Sequence, residues 1–451
     1  MYISHYDVRL FYKCPTLLYL NLHGPQDAKQ IHPIIQRRKR YTRNSFLDSI
    51  NVEQETQKTI SQMEKAKKSI NQCLISTNNL VAKVDRLNKV DNNSNLGSYS
   101  YRASFARNTL TPKKPLLMEG VFVSYILQKI LNTEIKEFYV QKQNDIQSIN
   151  IAEYFADFEN DLVLIDEIIR GEKEISPNYV RTCRVCEWRF YCKKTAAESS
   201  DLTLISGIGG RIKKKLITLG IEDVPSLAQV DLNSLPKDLT NNADFDFFVK
   251  QAKSLTTKEA IVRESIKFPK NRIELFVDLE GSSHHNFVWI IGCLMRKEGE
   301  VDYISFLANT PKEEKEMVVS FSDFISDLGD DFTLYHWSSA EPQYFKNLFT
   351  KYSLPFKMLN KLHHNSFDLF PIFKRKIILP LFTYTLKDVA NFLGFQWHDP
   401  LADGATSIVL FDKWYLEKDK KSLQKAISYN SDDCKALLII KDYLSKKLSA
   451  D

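Results

Sequence analysis

Ile273-Glu274-Leu275-Phe276-Val277-Asp278-Leu279-Glu280-Gly281 carries a mostly apolar run into Asp-x-Glu and then a glycine. Such a run reads as a buried β-strand. Residues two apart on a strand point to the same face, so Asp278 and Glu280 stand side by side. Two carboxylates on one face of a core strand are costly unless something positive lies between them, and a divalent metal is the usual solution. An edge strand with two solvated acids is the alternative. The buried reading makes Asp278 and Glu280 candidate metal ligands.

The chain around this stretch has 451 residues, enough for two or three domains with cores of their own. Its net charge of +6 is a mild basic excess, compatible with a nucleic-acid partner. No apolar run is long enough to predict a membrane span, and the N-terminus lacks a basic region followed by an apolar core. The expected location is the cytoplasm, where the seven cysteines should be thiols or metal ligands.

Residues 6–15 read as a short helix ending at Cys14-Pro15, and the polar residues 52–72 as an exposed helix. Strands are expected near Cys73–Ser76, Leu80–Leu87 and Tyr99–Ala106, with a turn at 91–98 and a helix over Met118–Leu131. Cys183-x2-Cys186-x5-Cys192 places three thiolates within reach of one centre, and soft sulfur ligands suit zinc or an iron–sulfur cluster. Cys14 is a better-placed fourth ligand than Cys73.

A Cys-Pro near the N-terminus with a later cysteine trio resembles the RecB-like nucleases of the PD-(D/E)xK class that carry a [4Fe-4S] staple. The resemblance implies that Cys14, Cys183, Cys186 and Cys192 ligate one cluster. It maps the metal-binding Asp onto Asp85. The next strand, Tyr99 to Phe105, has Ala103 where the family has an acid and Phe105 where it has a lysine; Val121 replaces a glutamine while Tyr125 is kept. Alanine cannot bind a metal and phenylalanine cannot polarise a phosphate, so this module is expected to keep the fold and the cluster without nuclease activity.

Residues 202–221 contain Gly207-Ile-Gly209 followed by Lys213, Lys214 and Lys215, and resemble a helix-hairpin-helix. The glycines would let the backbone approach a phosphate, with the second helix's amides facing it. A purely structural hairpin is the alternative. Residues 234–260 read as a connector.

From about 266 onward the pattern is three strands, a helix near Glu313–Leu328 and a fourth strand over 332–337. That order resembles the RNase H-like fold, and the DEDD exonucleases on it place Asp-x-Glu on the first strand. Tyr429-x3-Asp433 matches the family's tyrosine form. The resemblance makes Asp433 a metal ligand and Tyr429 the group that orients the attacking water; Asp432, on another helical face, is a weaker candidate. Glu341 is assigned as the further acid ahead of Asp368, which would open a helix as its N-terminal residue. Residues 384–394 and 397–405 resemble elements of the YprB-like RNase H group, with Asp403 near the site or simply a turn residue. His284, His285, His363 and His364 read as surface-loop residues.

The expected fold class is α/β multidomain: residues 1–198 a RecB-type PD-(D/E)xK nuclease-like domain, 199–265 a helical hairpin linker, 266–451 an RNase H-like domain. The whole resembles RecB-like nucleases with a C-terminal exonuclease domain. That resemblance implies two-metal hydrolysis with Mg²⁺ or Mn²⁺, a nucleic-acid partner (DNA before RNA) and, by analogy, 3′→5′ direction. The alternative is a non-catalytic binding or assembly factor with both nuclease sites degenerate.

Overall fold

The computed structural model describes residues 1–31, 46–47, 50–179, 183, 185–241, 243–282, 287–400 and 404–448. The chain divides into two compact units, one holding Met1–Ile31, Arg38–Asn178 and Cys186–Cys192, the other Tyr179–Val185 and Lys193–Asp451. Among the described residues, no helix is long and apolar enough to cross a membrane.

The first unit begins with β1 (Ile3–Ser4) and α1 (His5–Lys13). Ser4 and Asp7 form a reciprocal capping box, with Ser4 N donating to Asp7 Oδ2 at 2.8 Å. Cys14 is extended and closes α1, and Pro15, which needs no amide donor at a helix start, opens α2 (Pro15–His23). α3 (Val52–Glu64) stops short of the expected residue 72: Ala66 takes a positive φ, and the β-branched residues beyond it enter β2 (Ser69–Thr77). β3 (Leu80–Val90) and β4 (Ser100–Ala106) follow as expected. α4 (Lys114–Leu131) is the crossover from β4 to the parallel β5 (Glu137–Lys142), and β6 (Asp145–Asn150) closes the far edge. The sheet order is β1-β3-β4-β5-β6, with β2 paired to β3. Ala103, Phe105, Val121, Phe122 and Ile126 are buried in its core, with α5 (Phe155–Arg170) covering it. The segment before α6 (Arg189–Glu198) returns to α2: Trp188 Nε1 donates to Asn21 Oδ1 at 2.8 Å, and Gln30 N donates to Glu187 O at 2.8 Å.

In the second unit the expected first hairpin helix is a single 3₁₀ turn, Leu202–Leu204. α7 (Gly210–Thr218), α8 (Val224–Ala228) and α9 (Phe245–Thr257) follow. Gly207 has φ +107°, and a Cβ there would lie 2.9 Å from the Phe248 ring. The expected connector is therefore core: Phe245, Phe247, Phe248 and Leu255 pack in one cluster with Phe276, Leu294 and Leu437. β7 (Ile261–Val262) leads to the main sheet.

That sheet holds β8 (Ile273–Ser282), β9 (Phe287–Lys297), β10 (Glu300–Leu307), β11 (Phe332–His336) and β12 (Ser366–Asp368) in the order β10-β9-β8-β11-β12. The first three strands are antiparallel; β8, β11 and β12 run parallel. α10 (Glu314–Asp327) bridges β10 to β11, and α11 (Ala340–Lys351) with α12 (Phe356–His364) bridges β11 to β12. β13 (Ile377–Ile378) pairs with β7. α13 (Leu386–Phe392), α14 (Gly404–Glu417) and the 29-residue α15 (Lys420–Leu448) complete the unit. Leu275, Val277 and Leu279 enter the core with Trp289 and Phe321, whereas Phe276 packs with Leu437 and Ile440 of α15. This alternation turns Asp278 and Glu280 to the face of Phe276.

Candidate metal centre

β11 pairs with β8 as far as Phe276, so Asp278 and Glu280 lie just past the paired region, where the chain leaves His336 for α11. Along α15, one helical turn carries Tyr429 and Asp433 on the same side. Asp278, Glu280 and Asp433 thereby present oxygens all within 4.8 Å of one another, the one such group of three among the described residues. Asp278 is part-exposed; Glu280 and Asp433 are buried.

Each carboxylate has a fixed neutral donor. Asn430 Nδ2 donates to Asp278 Oδ2 at 2.7 Å, Ser407 Oγ to Glu280 Oε2 at 2.7 Å, and Trp397 Nε1 to Asp433 Oδ1 at 2.7 Å. The Tyr429 side chain also hydrogen-bonds Asp433. Burial, then the charges of Asp433, Glu280 and Glu341, push the Asp278 carboxyl well above its ordinary range. Burial lifts Asp433 to about 7 against the pull of Trp397, Tyr429 and Lys387. Crowded, desolvated acids of this kind fit a divalent cation.

Glu341 sits in the first turn of α11, buried, and its carboxyl is raised by burial despite His336, whose Nδ1 lies 3.6 Å from Oε2. That Oε2 has no hydrogen-bond partner among the described residues. Its charge is felt at Asp278, yet it stands outside the 4.8 Å group. An orphaned buried oxygen beside the triad is the second mark of a cation's place. Tyr344, one turn along α11, feels Glu280, Asp278 and Glu341.

Asp368 is a correction. It ends strand β12 instead of opening a helix, and its Oδ1 accepts from Ser338 N at 2.8 Å and Phe370 N at 2.9 Å, which tie down the β11–α11 turn. Asp432 faces away: its carboxylate accepts from His398 N at 2.9 Å and lies 2.8 Å from the His398 ring. His363 and His364 are exposed, but in the last turn of α12 instead of a loop. His284, His285 and Asp403 lie outside the described residues.

Of the hairpin lysines, Lys213 pairs with Asp201 and Lys215 with Asp238 at 3.1 Å, while Lys214 is exposed. Gly209 caps α7, with no side-chain cap. Two of the three expected phosphate-facing cations thus have carboxylate partners.

Of the cysteines, Cys14, Cys186 and Cys192 belong to the first unit and Cys183 to the second. Burial raises the Cys186 thiol, and Cys14 raises it further. Within the first unit, the sulfurs of Cys14, Cys186 and Cys192 do not all lie within 4.8 Å of one another. At the N-terminal acid pair, Arg107 bridges Asp85 at 2.8 Å and Glu119 at 3.3 Å, and Arg9 lies 3.7 Å from Glu119. The Arg107 guanidinium also covers the ring of Phe105, at 4.9 Å.

Asn430, Ser407, Trp397 and Tyr344 escaped the sequence reading as site residues. Asn430 and Trp397 fall within the stretches 429–433 and 397–405, but their partners are distant in the chain.

Residues 275–445 match the RNase H superfamily. The C-terminal part of the chain is RNase H-like. No curated protein matches the chain. The matched span begins on β8 and ends within α15, so it contains every carboxylate of the centre.

Proposed function

We propose that this chain is a metal-dependent nuclease that hydrolyses phosphodiester bonds of nucleic acid, DNA before RNA, through the RNase H-like site. The observation that carries it is the convergence of Asp278 and Glu280 of β8 with Asp433 of α15. These three, with Glu341, would hold Mg²⁺ or Mn²⁺, which supplies water activation and charge neutralisation when bound. Asn430, Ser407 and Trp397 each fix one oxygen of a ligand and so restrict how its carboxylate can turn. Tyr429 holds Asp433 and, in the DEDD arrangement it resembles, positions the attacking water. The 3′→5′ exonuclease direction rests on that resemblance.

Within the same proposal, residues 1–198 form a RecB-like module, 199–265 a helical linker whose α7 offers the exposed Lys214 to the nucleic-acid backbone, and 266–451 the catalytic domain. Cys14, Cys183, Cys186 and Cys192 are assigned to a [4Fe-4S] cluster on the family resemblance and on the influence of Cys14 on Cys186. Anaerobically purified protein should be brown; stoichiometric zinc without iron would refute the cluster.

The test of the activity is Mn²⁺-dependent degradation of labelled single-stranded DNA and RNA, compared with Asp278→Ala. A second reading, a non-catalytic nucleic-acid-binding or assembly factor, is favoured by Arg107, which occupies the N-terminal acid pair with a side-chain cation. Wild type and Asp278→Ala equally inert, with binding retained, would establish that reading.

A further inference from the structure

Asn430 is fully buried in α15, one residue from Tyr429. Its amide nitrogen faces two acceptors of one residue: Asp278 Oδ2 at 2.7 Å and the Asp278 main-chain oxygen at 3.1 Å. Two acceptors on that side require the NH₂ group there, so the amide oxygen points the other way. It accepts from the Tyr303 hydroxyl at 2.7 Å. The amide thus has a partner on each side and one orientation.

The backbone is shaped to admit it. Asp278 of β8 stands opposite Gly292 of β9. A Cβ at Gly292 would lie 1.7 Å from Asn430 Oδ1, 2.7 Å from its Cγ and 3.0 Å from the Tyr303 hydroxyl. Any side chain at Gly292 would expel the amide. Gly292 has no positive φ to explain it, so close approach is its reason.

We propose that Tyr303, Asn430 and Gly292 form a positioning device that holds Asp278 with Oδ2 occupied and Oδ1 presented to the cation. The inference rests on the metal-centre reading and goes beyond it by giving a role to residues outside its carboxylate ligands. Clamping main chain and side chain of one residue with one amide fixes its carboxylate torsion. A ligand free to rotate would lose affinity because its orientation must be frozen on binding.

The test is Mn²⁺ titration of the full metal-free chain, followed by electron paramagnetic resonance of unbound Mn²⁺, alongside the Mn²⁺ dependence of cleavage. Asn430→Ser should weaken binding roughly tenfold, in line with outer-shell substitutions at metal sites, and Tyr303→Phe, which removes one partner of the amide and keeps the amide itself, should weaken it measurably but less. Gly292→Ala should match Asn430→Ser, and adding Asn430→Ser to Gly292→Ala should cost nothing more, since both remove one device. A purely structural amide would alter thermal stability without moving Mn²⁺ affinity. Folded Asn430→Ser and Tyr303→Phe that bind Mn²⁺ as tightly as wild type overturn the inference alone. If Asn430→Ser does not fold, Tyr303→Phe decides by the same criterion. A wild type that binds no Mn²⁺ overturns the metal-centre reading as well.

Discussion

The indole Nε1 of Trp397 donates to Asp433 Oδ1 at 2.7 Å, and this bond ties the last carboxylate of the centre to a loop between α13 and α14. The ring also lies 5.4 Å from Lys387 Nζ, which donates to Pro400 O at 2.8 Å. Indole and ammonium together favour the ionised form of an otherwise desolvated acid. Trp397→Phe keeps most of the buried volume and removes the donor. Losing a hydrogen bond to a charged group costs about 1.5 kcal/mol, roughly tenfold in Mn²⁺ affinity. Isothermal titration with Mn²⁺ would measure it; an unchanged affinity would show that the bond does not hold Asp433 for the ion.

Protons and the cation should compete for the same oxygens. Asp433 rises from an ordinary 3.8 to about 7, chiefly by burial, and Asp278 is raised by burial and its acidic neighbours. Between those values the folded, metal-free chain keeps protons that the unfolded chain releases. The unfolded state binds fewer, so stability of the metal-free protein falls as pH rises through that window. The cation binds the ionised carboxylates and reverses the loss. Mn²⁺ should therefore raise Tm more at about pH 8 than at about pH 5. Melting curves with Mn²⁺ and with EDTA check this, and an equal shift at both values would contradict it.

Glu341 should show opposed effects on stability and function. Its carboxyl is buried, its Oε2 lacks a hydrogen-bond partner among the described residues, and Asp278 feels its charge. Glu341→Gln keeps the shape and removes the charge. Melting in EDTA should show a gain of about 1 kcal/mol, because a desolvated acid crowded by Asp278 and Asp368 is replaced by a neutral group. Cleavage in Mn²⁺ should fall by roughly tenfold or more if Glu341 completes the ligand set. A variant that gains stability and keeps full activity would remove Glu341 from the centre.

The sequence carried the strand, the acid pair and the helical partner because each is local. A period of two places Asp278 beside Glu280, and a spacing of four places Tyr429 beside Asp433. The donors were illegible for the opposite reason: Ser407 lies 127 residues from Glu280, and Asn430 lies 152 from Asp278. Nothing in Gly292 betrays the amide that fills its missing Cβ. The lysines of α7 were visible as charges, but the carboxylates of Asp201 and Asp238 that receive two of them come from outside the helix. Asp368 looked like a helix start because its partners, Ser338 N and Phe370 N, are set by the β11–α11 turn and by its own exit.

Arg107 should behave as the resident cation of the N-terminal acid pair. It bridges Asp85, on β3, and Glu119, on α4, at 2.8 and 3.3 Å. Glu119 is buried, and burial raises its carboxyl while Arg9 and Arg107 pull it down. Removing the guanidinium in Arg107→Ala leaves Glu119 with Arg9 alone, at 3.7 Å. Breaking a buried ion pair on one side costs on the order of 3 kcal/mol. Urea unfolding of the full chain should show a loss of that order. If the pair is a disused metal site, Mn²⁺ should restore part of the lost stability in the double variant Arg107→Ala/Asp278→Ala and none in Asp278→Ala. Equal Mn²⁺ effects in the two would mean that Asp85 and Glu119 are a salt-bridge network and nothing more. Cleavage should stay absent in both, since Ala103 and Phe105 supply neither a ligand nor a polarising cation.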